Sequence, residues 1–168
     1  KWTEAGFASL ILLSLLACPP FDPGADDESE PVECDRDFII QSVDDMAGLD
    51  TCENVGGRIL LLESDVISLE LPKLQNIDGS LEIWQNPSLQ TVSLPELTAV
   101  TGDDVTVAFN AALTDFSAPV LNQAAERMRI YENDPLLFLD LQGLNAHRGP
   151  LWVIRSPLLE DVNLSGLT

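Results

Sequence analysis

The residues best suited to catalysis or metal binding are few in this chain, and their spacing supports neither role. The one histidine, His147, lies in an Asn-Ala-His-Arg turn, and no Ser–His–Asp arrangement can be built around it. The acidic runs Asp103-Asp104 and Asp26-Asp27-Glu28 carry oxygen ligands that suit Ca²⁺, but not at the spacing of an EF-hand loop. There is also no glycine-rich phosphate loop. We therefore expect no enzyme activity, no metal and no cofactor.

Cys18 follows a segment that is typical of export. Lys1 supplies a positive charge, and Phe7–Ala17 is an apolar run of eleven residues, too short to cross a bilayer as a helix. Such a run predicts a signal peptide over residues 1–17. The sequence Leu-Leu-Ala-Cys, which ends at Cys18, resembles a bacterial lipobox. That resemblance implies a diacylated Cys18 as the new N-terminus, and the alternative is an ordinary secreted protein cut near Ala17.

The other two cysteines are predicted to form a disulfide bond. An exported chain meets an oxidising compartment, where an even pair such as Cys34 and Cys52 becomes oxidised. Metal binding by two cysteines without a nearby histidine is the less favoured alternative.

The charge of the chain restricts its partners. The net charge is −20, which disfavours nucleic acid and anionic membrane surfaces because both would be repelled. Residues 18–33 are rich in proline and acidic side chains, so we expect a disordered, self-repelling tether that holds the following domain away from the membrane.

A unit of about 23 residues repeats through residues 57–168 and predicts a solenoid. Each copy opens at a small residue: Gly57, Gly79, Gly102, Ala125 or Gly149. An alternating stretch follows in each copy: Ile59/Leu61, Leu81/Ile83, Val105/Val107, Met128/Ile130 and Leu151/Val153. A second one ends each copy: Leu69/Leu71, Val92/Leu94, Phe116/Ala118, Leu139/Leu141 and Val162/Leu164. Alternation of apolar and polar residues with a period of two indicates half-buried strands, and equivalent strands of successive copies stack in parallel. The prediction is an all-β, right-handed parallel β-helix of about five coils.

An asparagine column falls between the two strands of the copies, at Asn86, Asn110 and Asn133, with Ser64 and Ser156 in its place at the ends. We expect these asparagines at a corner, where they bond backbone groups of their own turn, tolerate a left-handed φ and bond each other. Their predicted role is structural.

Residues 34–56 are predicted to cap the first coil. Val43, Met46 and Leu49 have helical spacing, and Asp44 and Asp45 fall in the first turn, where the helix dipole favours them. A short helix here, tied down by the disulfide, would cover the apolar end of the solenoid.

The outward positions of the first strand are the best candidates for a binding surface. One column reads Leu62, Trp84, Ala108, Tyr131 and Ile154, and the other reads Leu60, Glu82, Thr106, Arg129 and Trp152. A strand face that meets only water should be polar, and interfaces favour aromatic anchors. The predicted binding surface is Leu62, Trp84, Arg129, Tyr131, Trp152 and Ile154. The alternative is that another domain or the tether covers this face.

The outward positions of the second strand are polar but lack stacked carboxylates: Glu70, Ser93, Ser117, Asp140 and Asn163. This pattern disfavours a β-helical polysaccharide-active enzyme, which needs clustered carboxylates, or an Arg with an Asp, on one outward face.

The repeat Gly-x-Leu-x-Ile-x-x-Asn-x-x-Leu-x-x-Leu-x-Leu-Pro-x-Leu, preceded by a capping helix and a cysteine, resembles the receptor L-domain family. The stretch Val43–Leu62 carries the likeness to the family's opening helix, cysteine and first strand, and the resemblance covers residues 34–168. Ordinary leucine-rich repeats fit less well, because here the Asn precedes the second strand and each coil has two strand patterns. The departures are Asp104, at or beside an inward position, Ala125 in the glycine column, and the lack of a closing cysteine or helix.

The resemblance implies the fold of the ligand-binding lobes of the insulin and epidermal growth factor receptors, in which a sheet face meets the ligand. The predicted function is an exported binding module that recognises a protein or glycan, with contact to the membrane only through its lipid anchor. The predicted location is the bacterial cell envelope, at the outer membrane. The alternatives are a structural or adhesive envelope protein without a discrete ligand and, least favoured, the polysaccharide-active enzyme.

Overall fold

The predicted parallel β-solenoid of about five coils is confirmed. A computed structural model describes residues 34–145 and 149–167. Their strands form three parallel sheets, and equivalent positions in neighbouring coils are typically 23 residues apart, as for Asn110 and Asn133. The sheets contain six, five and four described strands, and each complete coil crosses all three in turn, so side chains of one column stack directly on each other.

The first sheet carries the candidate surface and contains one strand more than predicted. Its six described strands are Phe38–Ile40, Ile59–Leu62, Leu81–Trp84, Asp104–Ala108, Arg127–Tyr131 and Leu151–Ile154. The additional strand, Phe38–Ile40, lies in the predicted cap and pairs with Ile59–Leu61. The cap therefore extends the sheet as well as covering its end.

The second sheet is confirmed, and the third was not predicted. The described strands of the second sheet are Ser68–Glu70, Thr91–Ser93, Asp115–Ser117, Phe138–Asp140 and Asp161–Asn163. Those of the third are Asn54–Val55, Asn76–Ile77, Ala99–Val100 and Gln123–Ala124. A strand of two residues has no visible alternation, which is why the sequence pattern did not reveal it.

The short helix near the start is present as two 3₁₀ turns, Val43–Met46 and Leu49–Thr51. They are separated at Gly48, whose φ of 87° ends the first helical stretch. Leu49 is buried, whereas Val43 is 68% exposed, so the residues at helical spacing do not share one buried face. A 3₁₀ helix turns every three residues, and the break at Gly48 changes which residues share a face.

Asp45 holds the entry to the first of these turns. Its Oδ2 accepts hydrogen bonds from the backbone N–H groups of Gln41 and Ser42 and from the Ser42 hydroxyl, at 3.0, 2.8 and 2.9 Å. These donors, with the Gln41 backbone first, lower the pKa of Asp45 below its usual value. The carboxylate form thus stabilises the turn above the unfolded-state pKa, and this stabilisation is lost as the pH falls through the lower folded-state value.

The predicted disulfide is confirmed. Cys34 and Cys52 are bonded, with their Cα atoms 5.9 Å apart. Cys52 is buried in the same core cluster as Leu49 and Val55. The bond therefore fastens the start of the described chain to the first complete coil.

The glycine column marks a corner where neighbouring coils touch through their backbones. A Cβ on Gly102 would lie 2.4 Å from the carbonyl carbon of Gly79, and one on Gly79 would lie 2.6 Å from that of Gly57. Gly149 instead lies against Glu126, one residue beyond Ala125. The small residues are thus explained by close approach.

The asparagine column forms a buried hydrogen-bond ladder. The Asn86 Nδ2 donates to Asn110 Oδ1 at 3.0 Å, and the Asn110 Nδ2 donates to Asn133 Oδ1 at 3.1 Å. Each Nδ2 group also donates to a backbone carbonyl of the preceding coil, as Asn110 does to Ile83. The predicted bonds between stacked asparagines are therefore present, but the prediction that they bond their own turn is wrong, because their backbone partners lie in the preceding coil. Among the described residues of the column, only Ser64 bonds its own turn, where its Oγ accepts from the Val66 N–H.

The prediction of left-handed φ at the asparagines is wrong by one position. The residue directly before each Asn or Ser of the column has positive φ, between 49° and 59°: Glu63, Gln85, Phe109, Glu132 and Arg155. The chain turns at this residue, so the Asn side chain points into the interior, where its polar groups need the ladder. The turning residue projects its own side chain beside the first sheet.

Candidate binding surface on the first sheet

The predicted inward and outward alternation of the first sheet is confirmed by the burial of its strands. In Ile59–Leu62 and Leu81–Trp84, buried side chains alternate with partly exposed ones. The register aligns two outward columns across the sheet. One is Ile39, Leu60, Glu82, Thr106, Arg129 and Trp152, and the other is Leu62, Trp84, Ala108, Tyr131 and Ile154.

The middle of this face is closed by its own side chains. Ala108 points outward yet is 0% exposed, because the register places it between the larger Trp84 and Tyr131. The indole Nε1 of Trp84 is itself buried and has no hydrogen-bond partner among the described residues. Trp84 therefore lies against the sheet, and only part of its side chain is available to a ligand.

A groove opens beyond this closed middle, at the coils of Arg127–Tyr131 and Leu151–Ile154. It has a volume of about 380 Å³ and is lined by Arg129, Tyr131, Glu132, Trp152, Ile154 and Arg155. We call these six residues the aromatic groove. Trp152 is 47% exposed and Ile154 is 50% exposed, so two large apolar side chains remain accessible on a strand face.

The aromatic groove brings together four of the six predicted surface residues. Arg129, Tyr131, Trp152 and Ile154 line it, whereas Leu62 and Trp84 lie on the same sheet outside its lining. Glu132 and Arg155 were not predicted. The outward alternation ends at Tyr131 and Ile154, and the next residue reaches the groove only because its left-handed φ turns the chain there. The signal for these residues was their position directly before Asn133 and Ser156.

An ion pair borders the groove. The guanidinium of Arg155 donates from Nη1 to Oε1 of Glu132, its equivalent in the preceding coil. This hydrogen bond and the negative charge of Glu132 raise the pKa of Arg155 above its ordinary value. The pair lies at the surface and positions Arg155 more than it stabilises the fold.

Tyr131 is held by an aromatic neighbour from the coil before. The rings of Phe109 and Tyr131 meet edge to face, with centroids 5.3 Å apart and planes at 79°. A second cavity of about 250 Å³ adjoins this contact and is lined by Phe109, Ala111, Glu132 and Asp134. Glu132 lines both cavities, and the contact with Phe109 restricts the orientation of the Tyr131 ring.

Arg129 is the polar side chain of the groove whose hydrogen-bond donors are only partly used. Its Nη2 lies 3.4 Å from Oδ1 of Asp104 and donates to the Thr106 hydroxyl at 3.3 Å. Its Nε is buried and has no hydrogen-bond partner among the described residues. Asp104 pairs more closely with Arg127, at 3.0 Å from Nε and 3.2 Å from Nη2. Asp104 therefore points outward, beside the inward Val105, and one carboxylate serves two guanidinium groups.

The second sheet differs from the first in that its outward side chains are mostly polar. The Ser68 and Thr91 hydroxyls, for example, hydrogen-bond each other at 2.7 Å. Phe138 is the large apolar exception, at 46% exposed. A cavity of about 320 Å³ beside it includes the inward-facing Leu139 and Val162. The other lining residues are the outward Asp140, Asp161 and Asn163, so this cavity is lined by polar as well as apolar side chains at the last described strands of the second sheet.

Several predicted features lie outside the described residues, among them Cys18, His147 and the acidic run Asp26-Asp27-Glu28. Within residues 34–145 and 149–167, no group of three or more His, Cys, Asp or Glu side chains is placed to hold a metal ion. In the same part of the chain, no helix has the length and apolar character needed to cross a membrane.

Comparisons with models of known protein families, with curated proteins and with solved structures found no significant match to this chain. The parallel β-solenoid is compatible with an L-domain-like fold, and membership of the receptor L-domain family stays a prediction from the repeat.

Proposed function

We propose that this chain is an exported binding module that recognises a protein or glycan ligand through the outward face of its first sheet, centred on the aromatic groove. The observation that carries this proposal is the exposure of Trp152 and Ile154 beside Tyr131 and Arg129 in one concave site. Tyr, Trp and Arg are the residues that most often dominate binding energy at interfaces.

The contrast between the two sheets supports a binding role for the outward face of the first sheet. Both sheets are built from strands of the same repeats, so the same folding constraints act on both. The second sheet places Ser, Thr, Asp and Asn at most outward positions, as solvent favours, whereas the first accumulates aromatic and aliphatic side chains. Folding does not require that difference, and recognition of a ligand explains it.

The likeness to receptor L domains and the predicted lipid anchor belong to the same proposal. The repeat and cap resemble receptor L domains, in which a sheet face meets the ligand. The aromatic groove also lies on a sheet face, which supports this part of the proposal. We further propose a lipid anchor at Cys18, which would hold the module at the bacterial cell envelope, at the outer membrane. Mass spectrometry of the mature protein should show a diacylglyceryl group on Cys18, and a mature chain that starts at another residue contradicts the anchor.

Binding to printed arrays of peptides and glycans tests the proposed function. A ligand that the wild-type chain retains should bind the variants Tyr131→Ala and Trp152→Ala at least tenfold more weakly. Loss of one central aromatic anchor typically costs about 2 kcal/mol of binding free energy, which corresponds to roughly thirtyfold in Kd. Titration calorimetry with the retained ligand gives the ratio directly.

Phe138→Ala is the matched control for these variants. Phe138 is as exposed as Trp152 and lies one strand after Tyr131 in the same coil, but on the second sheet. Its truncation removes a similar apolar area and should leave Kd unchanged. Equal losses for all three variants would place the site elsewhere. Failure of the wild-type chain to retain any ligand would favour a structural or adhesive envelope protein.

A further inference from the structure

We infer that the aromatic groove accepts an apolar peptide side chain flanked by a carboxylate, so that its ligand is an acidic peptide segment. The inference rests on the proposed function and specifies the ligand of the same site. It follows from the charge of the groove lining and from the chemistry of its side chains.

The lining of the groove carries an excess of positive charge in a chain of net charge −20. Two of its six residues are arginines, Arg129 and Arg155, and one is a carboxylate, Glu132. Arg155 pairs with Glu132, whereas Arg129 shares the carboxylate of Asp104 with Arg127. One positive charge of the lining therefore has no carboxylate of its own, and a ligand carboxylate would balance it.

Arg129 is the residue placed to bind that carboxylate. Asp104 is engaged by Arg127 through two short contacts, while Arg129 reaches it only through Nη2 at the longer distance of 3.4 Å. The Nε of Arg129 is buried and closed to a ligand, but the side chain as a whole is 32% exposed, and its other terminal nitrogen, Nη1, makes neither of these contacts. A ligand carboxylate can therefore pair with the two terminal nitrogens, Nη1 and Nη2, in the two-pronged geometry typical of arginine.

The lining of the groove favours an apolar side chain over a sugar ring. Trp152, Ile154 and Tyr131 supply its walls, and the polar lining consists of the Arg129, Glu132 and Arg155 heads with the Tyr131 hydroxyl and the Trp152 indole N–H. No Asn, Gln, Ser, Thr or Asp is among these six residues. Sugar hydroxyl groups that face Ile154 would lack hydrogen-bond partners, which costs free energy. An apolar side chain gains from the same surface.

Titration calorimetry with short synthetic peptides tests the inference. The probe peptide places Phe between Asp and Glu residues; the reference peptides replace the acids by Asn and Gln, or the Phe by Ser. The acidic Phe peptide should bind saturably, and each reference peptide should bind about tenfold more weakly. Raised salt should weaken the acidic peptide because exposed charges are screened.

Variants of Arg129 separate this recognition from general charge attraction. Arg129→Gln should weaken the acidic Phe peptide about tenfold, and Arg129→Lys should weaken it severalfold, because an ammonium group lacks the fork of arginine. Arg58→Gln, which removes the same charge from the distant Arg58–Asp37 pair, should leave Kd within a factor of two. A thermal melt of each variant verifies folding, and Arg129→Lys retains the charge that Asp104 needs.

The outcomes distinguish the inference from the proposed function. Stronger binding of an acidic oligosaccharide than of the acidic Phe peptide overturns the inference. An unchanged Kd for the acidic Phe peptide in the Arg129 variants overturns it as well. If array ligands depend on Tyr131 and Trp152 while acidic peptides do not bind, the ligand class is wrong and the proposed site stands. If Tyr131→Ala leaves every ligand unaffected, the site itself is wrong.

Discussion

Asn110→Ala should lower the free energy of unfolding by about 4 kcal/mol. The Asn110 side chain accepts hydrogen bonds from the backbone N–H and the Nδ2 of Asn86 and donates to the carbonyl of Ile83 and to Oδ1 of Asn133. All three asparagines are fully buried, so alanine removes the acceptor of the Asn86 N–H and of one Nδ2 hydrogen, and removes a donor from the Ile83 carbonyl. Each such group costs about 1–3 kcal/mol. Because the coils stack only on their neighbours, the loss falls in the middle of the solenoid.

Asn76→Ala is the matched control for this ladder variant. Asn76 also stacks on an asparagine, donating to Asn54 Oδ1 at 2.7 Å, but this pair lies at the surface, where water replaces a lost bond. We expect a change of about 1 kcal/mol or less. Urea denaturation of both variants measures the difference. Similar losses at Asn76 and Asn110 would show that the buried ladder has no special role.

Replacement of both disulfide cysteines by alanine should lower the free energy of unfolding by about 3 kcal/mol. Cys34 and Cys52 are 18 residues apart in sequence, and a loop of this length gives about that value in the chain-entropy account. Cys52 is also buried in the core beside Leu49, so its loss removes packing as well. We expect the segment with the two 3₁₀ turns and the strand Phe38–Ile40 to loosen first.

Reduction of the wild-type protein provides the control. Dithiothreitol should shift the urea midpoint of the wild-type chain toward that of the double-alanine variant and leave the variant unchanged. Faster proteolysis within residues 34–56 should accompany both changes. An unaltered midpoint after complete reduction, with free thiols titrated, contradicts a stabilising role for this bond.

The solenoid could be predicted from the sequence because its strongest signals repeat. One coil with Leu81 and Ile83 inward is ambiguous by itself, but five copies of the pattern at one period leave little choice of architecture. The disulfide followed from the export signal and the even cysteine pair. The strand Phe38–Ile40 was missed because it precedes the first copy of the repeat, and strands such as Asn54–Val55 were missed because two residues show no alternation.

The candidate site was predicted as a face but not as a groove. Alternation in the first strand identified Arg129, Tyr131, Trp152 and Ile154 as outward residues. It could not show that Trp84 lies against the sheet, since that depends on Ala108 being small in the adjacent coil. It also could not show that Glu132 and Arg155 line the groove. Their side chains reach it because both residues have a left-handed φ, which is not expected at a residue other than glycine.

The direct measurement of the central claim is an NMR titration of the isotope-labelled chain with a ligand that it retains. We expect backbone amide shifts to change at residues 127–132 and 151–155, which form the aromatic groove and the strands that carry it. Amides of Asp115–Ser117 and Phe138–Asp140, on the second sheet, should not move. Shift changes concentrated on the second sheet, with residues 127–132 unmoved at saturation, would contradict binding through the first sheet.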